Sequence, residues 1–284
     1  MRTIKKVASH IFIDGFGGMT QGLFATLIIG TMIQQIGLLI GGSTGNVIYL
    51  LGKAAAALTS AGIGVGVAVK YGESPLVTVS AAVAAMVGGY AGKITGGTFF
   101  VDGNAVLAGP GEPLGAFIAA FAGITCGHLV SGKTKVDIIV TPVITIGAGS
   151  VVGLLVGPPI SQMMTGLGSI INWATEQRPF IMGIVVSVVM GMVLTLPISS
   201  AALGIILNLS GLAAGAATIG CCCNMVGFAV ASYRENKFGG LVAQGLGTSM
   251  LQVPNIMRHP LIWLPVIFSS AILGPVSTIL ANMQ

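Results

Sequence analysis

Charged side chains are missing from most of this sequence. Asp, Glu, Lys and Arg together make up 7% of the 284 residues, whereas about a quarter is ordinary for a water-soluble domain. Three stretches without any charge run from Pro179 to Tyr233, from Gly15 to Gly52 and from Ile138 to Thr175. Since a soluble fold needs charge on its outer surface, this shortage excludes a water-soluble domain of this size. The hydrophobic share of 54% and the mean hydropathy of +0.97 predict a polytopic membrane protein.

Long polar stretches and alternating patterns are also missing. No polar stretch is long enough for a soluble module, so any catalytic or phosphate-carrying domain is expected on another chain. Apolar runs such as 184–196 do not alternate as the strands of a membrane β-barrel would, which favours helices. The net charge of +5 is small and spread over loops, which indicates a positive-inside bias and no nucleic-acid partner. Arg2, Lys5 and Lys6 precede the first apolar run and predict a cytoplasmic N-terminus.

Catalytic and metal-binding patterns are missing as well. The sequence has no Ser-His-Asp signature, no paired carboxylates and no CxxC, so we expect no catalytic residue and no cofactor on this chain. The cysteines are Cys126 and the run 221–223, whose side chains point around a helix and cannot converge on one metal. Three scattered histidines make no metal site either. We interpret the cysteines as small packing residues.

One stretch of the sequence matches a nucleotide-binding pattern residue for residue. Residues 127–134, GHLVSGKT, match the P-loop pattern GxxxxGK[ST]. A P-loop follows a β-strand, whereas this stretch follows an apolar helix. We therefore interpret it as a basic cytoplasmic loop that contains Lys133 and Lys135.

Glycine, by contrast, is abundant, at 44 residues. Small residues let membrane helices approach closely, and glycine permits broken or re-entrant segments. A span needs roughly 20 apolar residues, so the chain has room for about ten. We predict an all-α membrane protein of about ten transmembrane helices with re-entrant segments. The candidate spans are 19–40, 46–69, 75–92, 113–131, 136–157, 179–198, 212–232, 238–257 and 260–281.

Two polar segments between these spans are expected to be irregular. Residues 93–112 are rich in glycine and predict a re-entrant loop that lines a cavity. Residues 161–176 are short and amphipathic, which predicts a segment that lies at the interface or re-enters the bilayer.

The first and second halves of the sequence also contain segments that are similar to each other. We interpret the similarity as two structural repeats, residues 19–158 and 182–281, within one transmembrane domain that covers 1–284. Duplicated transporters bind substrate where the halves meet near the midplane, and the same is expected here. The similar pairs are 19–37 with 182–199, 57–75 with 217–236, and 136–158 with 259–280.

Ionisable groups beside apolar runs are the first candidate site residues, because charge inside a membrane is costly. Glu112 lies between Pro110 and Pro113, in a setting that breaks a helix and exposes carbonyl groups. Asp102 and Asn104 precede it on the same loop. A carboxylate in such a setting is suited to accept hydrogen bonds from hydroxyl groups.

Glu176 is a second candidate carboxylate, in the segment 172–180. It lies two residues from Arg178 and has two interpretations, a substrate ligand or a surface ion pair with Arg178.

Neutral polar residues form a third candidate group. Gln244, Gln252 and Asn255, together with Thr248 and Ser249, recur at three- and four-residue steps, which predicts one face of a helix. Amides and hydroxyls that face a cavity suit a sugar or polyol, and the alternative is hydrogen bonding between helices. Asn208 and Asn224 are weaker members of the same class.

Four segments resemble the membrane IIC component of the phosphoenolpyruvate-dependent sugar phosphotransferase system, and most closely its branch with the perfringolysin regulator-like proteins. The resemblance extends over essentially the whole chain. The segments are GNAVLAGPGEPLGAF (103–117), INWATEQRPF (171–180), LTLPISSAALG (194–204) and GTSMLQVPNIMRHPLIWLP (247–265).

The resemblance implies a multi-pass homodimer in the bacterial inner membrane that binds a sugar or polyol. It also implies separate IIB and IIA phosphocarrier proteins, of which IIB phosphorylates the substrate. In IIC motifs with a Gly-Ile-x-Glu core the Glu holds sugar hydroxyls; here Ala174-Thr175-Glu176 lacks the Gly-Ile. The expected substrate-binding residues are Glu112, Glu176, Asp102, Asn104, Gln244, Gln252 and Asn255.

Two other functions stay open from the sequence. One is a membrane sensor or regulator that binds a small molecule without moving it. The other is an ion-coupled secondary transporter with Asp102 or Glu112 as the coupling carboxylate.

Overall fold

The computed structural model describes residues 14–101, 103–107, 109–175, 177–196 and 209–283. Several residues singled out from the sequence lie outside the described residues. They are Asp102, Glu176, Asn208, Arg2, Lys5 and Lys6.

The chain divides into two compact units, Met1–Ser161 and Gln162–Gln284. A short antiparallel hairpin, β1 (Phe100–Val101) and β2 (Asn104–Ala105), belongs to the first unit. The helices of that unit are α1 (Phe16–Ile40), α2 (Gly42–Ala57), α3 (Thr59–Lys70), α4 (Pro75–Gly89), α5 (Ala91–Thr95) and α6 (Pro113–Val130).

Helix α7 (Asp137–Thr175) begins in the first unit and ends in the second. The other helices of the second unit are α8 (Pro179–Thr195), α9 (Gly211–Ala231), α10 (Tyr233–Val242), α11 (Val253–Arg258) and α12 (Leu264–Pro275).

Proline and glycine set many of the helix boundaries. Pro75, Pro113 and Pro179 each occupy the first position of a helix, where the missing N–H costs nothing. Between α1 and α2 the chain turns at Gly41, whose φ of 65° favours glycine. Helices α2 and α3 meet at a bend of 53°.

In the first unit the helices pack through glycine. Helix α1 contacts α2 and α3, and α6 contacts α3 and α4. A Cβ added at Gly22 would lie 2.1 Å from the carbonyl oxygen of Gly62, and one at Gly88 would lie 2.4 Å from that of Gly115. Such close backbone contacts are the usual packing of membrane helices, because lipid provides no hydrophobic driving force between them.

The second unit is built around α8, α9 and α12, which contact one another pairwise. A Cβ at Gly220 would lie 1.9 Å from the carbonyl oxygen of Ser187, and one at Gly274 would lie 2.1 Å from that of Gly183. The three helices therefore approach to backbone contact on their inner faces.

Large apolar side chains face outward in both units. Leu39 is 87% exposed, Ile138 73% and Leu280 77%. Alanine, by contrast, is fully buried at positions such as Ala84 and Ala119. A surface of this kind is stable only against lipid, which agrees with the predicted all-α membrane fold.

Five helices of the described chain are long and apolar enough to cross a membrane, and the bent pair α2–α3 makes a sixth if it is one span. Helices α4 and α8 are apolar but shorter. The polytopic helical class is therefore confirmed, while the total of about ten helices stays a prediction.

Two local predictions from the sequence are wrong. Residues 161–175 do not form a separate segment, because their backbone continues α7. The span 238–257 is not one helix, since Thr248 is extended between a π-helical turn and a 3₁₀ turn. Residues 93–112, expected as a loop, contain the last residues of α5 and the β-hairpin.

Residues 127–134, interpreted as a loop, are a loop only in their second half, because residues 127–130 end α6. Gly127 and His128 lie inside α6, so the stretch continues a helix and does not directly follow a strand. The amide N–H of Gly132 donates to the carboxylate of Asp137 at 2.9 Å, where a phosphate would be repelled.

Candidate functional site

The loop before α6 is held in a fixed position by helices of the first unit. Ser60 donates a hydrogen bond to the carbonyl oxygen of Pro110 at 3.0 Å, and Tyr90 donates to that of Gly109. The amide N–H of Glu112 donates to the carbonyl oxygen of Gly89 at 2.7 Å. The backbone around Glu112 is thus bonded to α3 and to the end of α4.

Gly111 makes this close docking possible. Its φ is 76°, and an added Cβ would lie 2.5 Å from the hydroxyl of Ser60. The glycine expected to break the helix therefore has two specific roles, a left-handed turn and a close approach.

Glu112 itself is half-buried and lies immediately before the first turn of α6. Its Oε1 atom is fully buried. A carboxylate at this end of a helix is stabilised by the helix dipole and by the free N–H groups of the first turn. The sequence prediction of a carboxylate in a Pro/Gly break inside the membrane domain agrees with this geometry.

The other candidates of the first unit are less buried or outside the described residues. Asn104 is exposed in β2, where it pairs with Val101 in the hairpin. Asp102 lies outside the described residues.

In the second unit the chain breaks between α10 and α11. A π-helical turn covers Ala243–Gly247, Thr248 is extended, and a 3₁₀ turn covers Ser249–Gln252. The hydroxyl of Thr248 accepts a hydrogen bond from the N–H of Met250 at 3.1 Å and caps that turn. Broken segments of this kind are where membrane transporters present polar groups to substrates.

Three predicted site residues meet at this break. Gln252 donates to the side-chain oxygen of Gln244 at 2.8 Å, and Asn255 donates to that of Gln252 at 2.8 Å. Gln244 in turn donates to the hydroxyl of Ser232 at 2.9 Å. We call these four residues the amide chain. The predicted helix face is wrong, because the chain breaks at Thr248, whereas the three amides are joined by hydrogen bonds across the break.

The amide chain leads from a buried end to an exposed end. Gln244 is 3% exposed and Gln252 is 5% exposed, whereas Asn255 is exposed. Within the described residues, the Oδ1 atom of Asn255 accepts no hydrogen bond, so it is open to a hydroxyl donor. Bonded amides polarise one another, which fixes the orientation of the exposed group.

A second polar cluster lies deeper among α8, α9 and α12. The side-chain oxygen of Asn224 accepts from Thr195 at 3.2 Å and from Trp263 at 3.3 Å, and its nitrogen donates to Ser270 at 3.3 Å. Thr195 also bonds Ser249 at 2.9 Å. Asn224, Thr195, Ser249 and Ser270 are fully buried, so this cluster connects helices and has no access for a ligand.

Sequence reasoning missed Ser232, Trp263 and Tyr90 as partners in these clusters. In the sequence these three residues are marked only weakly, as side chains that can form a hydrogen bond at the end of an apolar span. Their roles depend on contacts between residues distant in the chain, such as Tyr90 with Gly109. Glu176, the remaining predicted site residue, lies outside the described residues.

Comparisons with known proteins address the family of the chain. No curated protein and no solved structure matches the chain. The model of one family, described as "Phosphotransferase system, EIIC", matches residues 13–284. Since the match covers nearly the whole chain, this protein belongs to the EIIC family of the phosphotransferase system and is a sugar permease component.

Proposed function

We propose that the sugar or polyol is bound through its hydroxyl groups by the amide chain of the second unit. Glu112 of the first unit is proposed separately as a ligand for hydroxyl groups. The observation that carries the proposal is the amide chain, which presents an oriented Asn255 at its exposed end. Neutral amides both donate and accept hydrogen bonds, so they match hydroxyl groups without the cost of a desolvated charge.

Glu112 contributes a stronger acceptor. Hydrogen bonds to a carboxylate are about twice as strong as those between neutral groups. The loop around Glu112 is bonded to α3 and α4, so the carboxylate is held without further ordering when a ligand binds. Asp102, Asn104 and Glu176 are proposed as further ligands on the strength of the sequence alone.

A IIC component works with a separate IIB protein that phosphorylates the sugar. The proposed direction of transport follows from the chemistry, because an anionic sugar phosphate does not re-enter an apolar path. We further propose the perfringolysin regulator-like branch, two structural repeats, partnership with specific IIB and IIA proteins, and a homodimer in the bacterial inner membrane. The mass of the purified protein by light scattering, compared with 28.5 kDa for one chain, tests the dimer.

Ligand-induced stabilisation tests the site. Purified protein is heated with a panel of free hexoses, hexitols and their phosphates. A ligand that binds only the folded state stabilises it by about 2.7 kcal/mol at a hundredfold excess over Kd. We expect one free sugar or polyol to stabilise the wild type, and Glu112→Gln and Gln252→Leu to lose most of that shift.

Two matched variants are the controls for this experiment. Glu73→Gln removes a carboxylate that pairs with His128 at 3.0 Å, and Gln34→Leu removes an amide that bonds its own helix. Both should keep the ligand-induced shift. An equal loss in the control variants, or no stabilisation of the wild type by any compound of the panel, would refute the proposed site.

A further inference from the structure

An apolar groove runs along the outside of the second unit between α9 and α12. Its volume is about 590 Å³. Cys222, Val226 and Val230 line it from α9, and Pro265 and Leu273 line it from α12. The floor is closed where Gly227 meets Val266, since an added Cβ at Gly227 would lie 2.4 Å from that side chain.

The two helices are antiparallel along the groove. Gly227 is beside Val266, while Asn224 bonds Ser270 at 3.3 Å. Ala231 and Pro265 therefore mark one end of the groove, and Ile219 and Leu273 mark the other. We call the first the basic end, because cations flank it in the chain.

Three cations lie close in sequence to the basic end. Arg234 and Lys237 follow the end of α9, and Arg258 ends α11. Ile256, two residues before Arg258, packs against Phe228 and Val266, which places α11 at this end. The acidic residue in this part of the chain is Glu235.

These cations are available to a ligand. Arg234, Lys237 and Arg258 are all exposed. Among the residues that the structure describes, none of their side chains makes a hydrogen bond or an ion pair. Basic residues at the end of a membrane helix mark the cytoplasmic leaflet and attract anionic lipids.

The length of the groove matches one leaflet. From Ile219 to Ala231, α9 rises roughly 18 Å at 1.5 Å per residue. Half of a hydrocarbon core of about 30 Å is roughly 15 Å. An acyl chain that starts at the basic end would thus remain in the groove over its whole depth.

We propose that this groove binds one anionic phospholipid, with an acyl chain between α9 and α12 and the headgroup phosphate on Arg234 and Arg258. A second copy of the chain fits less well, because a two-fold contact would bring the same cations together. The proposal is independent of the sugar site, since it uses none of the amide chain or Glu112.

The tryptophans provide a direct assay. The chain has two, Trp173 and Trp263, and Trp263 packs against the cluster that contains Val266. A Trp173→Phe variant leaves Trp263 as the reporter. It is reconstituted in phosphatidylcholine vesicles that contain increasing fractions of brominated phosphatidylglycerol or, separately, of brominated phosphatidylcholine, and Trp263 quenching is measured.

We expect brominated phosphatidylglycerol to quench Trp263 at a much lower fraction than brominated phosphatidylcholine does. Each cation near the surface is worth about fivefold in affinity, so Arg234→Gln with Arg258→Gln should lower the preference roughly 25-fold. The matched control, Lys53→Gln with Lys70→Gln, removes two exposed cations of the first unit and should keep the preference.

Two results would overturn the proposal. One is equal quenching by the two lipids at every fraction in the Trp173→Phe protein. The other is an unchanged preference in the double arginine variant. If that variant does not fold, the same Trp173→Phe protein is measured at rising salt, where the preference must fall because exposed charges are screened. A preference that is independent of salt contradicts the headgroup contact.

Discussion

Asn224→Leu is expected to destabilise the second unit by about 2 kcal/mol. The change removes the hydrogen bonds of Asn224 to Thr195, Ser270 and Trp263. Each side-chain hydrogen bond between membrane helices contributes on average about 0.6 kcal/mol, so three amount to roughly 2 kcal/mol. The apolar surface of the new leucine adds little stability, because the side chains of the unfolded chain are also surrounded by lipid.

The assay is reversible unfolding in mixed micelles, with the free energy of unfolding obtained from the denaturant dependence. Ser269→Ala is the matched control, because Ser269 bonds a carbonyl oxygen of its own helix at 2.9 Å and should change stability little. A double-mutant cycle with Trp263→Phe isolates one bond and should give a coupling energy of roughly 0.6 kcal/mol.

The reasoning is refuted if Asn224→Leu unfolds with the wild-type free energy, or if the coupling to Trp263 is zero. A variant that keeps its stability but loses sugar-induced stabilisation would move Asn224 from a structural role to the binding site.

Two further outcomes are expected from the first unit. Gly111→Ala should lower thermal stability by more than Gly109→Ala. Both alanines would have to adopt a positive φ, which costs about 1–2 kcal/mol, but only the Cβ at position 111 would also clash with the hydroxyl of Ser60, at 2.5 Å. Equal losses of stability would contradict the docked loop. Burial and, secondarily, the charge of Asp14 raise the pKa of Tyr71 from 10.0 to about 12. In a spectrophotometric titration, comparison with Tyr71→Phe should show that this tyrosine ionises near pH 12. The stability from its neutral form is present below pH 10.0 and is lost as the pH rises through about 12; ionisation at the ordinary pH would contradict the burial.

Much of the helical architecture was predictable, because membrane insertion depends on local composition. The span expected at 19–40 appears as Phe16–Ile40, and that at 113–131 as Pro113–Val130. Prolines at the first helical positions fixed several of the starts to within a few residues.

Predictions failed where several local signals conflict. In the span 238–257 the three- and four-residue spacing of polar residues is typical of a helix face. The chain breaks there instead at Thr248, and a further kink at Lys237 lies just before the span. A hydropathy pattern cannot detect such breaks, because glycine and polar residues are tolerated both within membrane helices and between them.

The candidate site was predictable by residue type and not by geometry. Glu112 was recognisable from Pro110 and Pro113 on either side of it, a purely local pattern. That Gly89 accepts a hydrogen bond from its amide, or that Ser60 holds the loop, depends on helices brought together by folding.

The sequence by itself determined that the protein lies in a membrane and is helical, because the scarcity of charge and the long apolar runs can be read without a structure. Its specific segments likewise determined the family. Only the tertiary structure decided how the polar residues are used. Gln244 meets Gln252 because the chain breaks between them, while Asn224 is buried against Ser270, 46 residues away in the chain. Inside a membrane every polar group needs a partner, and which partner it finds depends on how the helices pack.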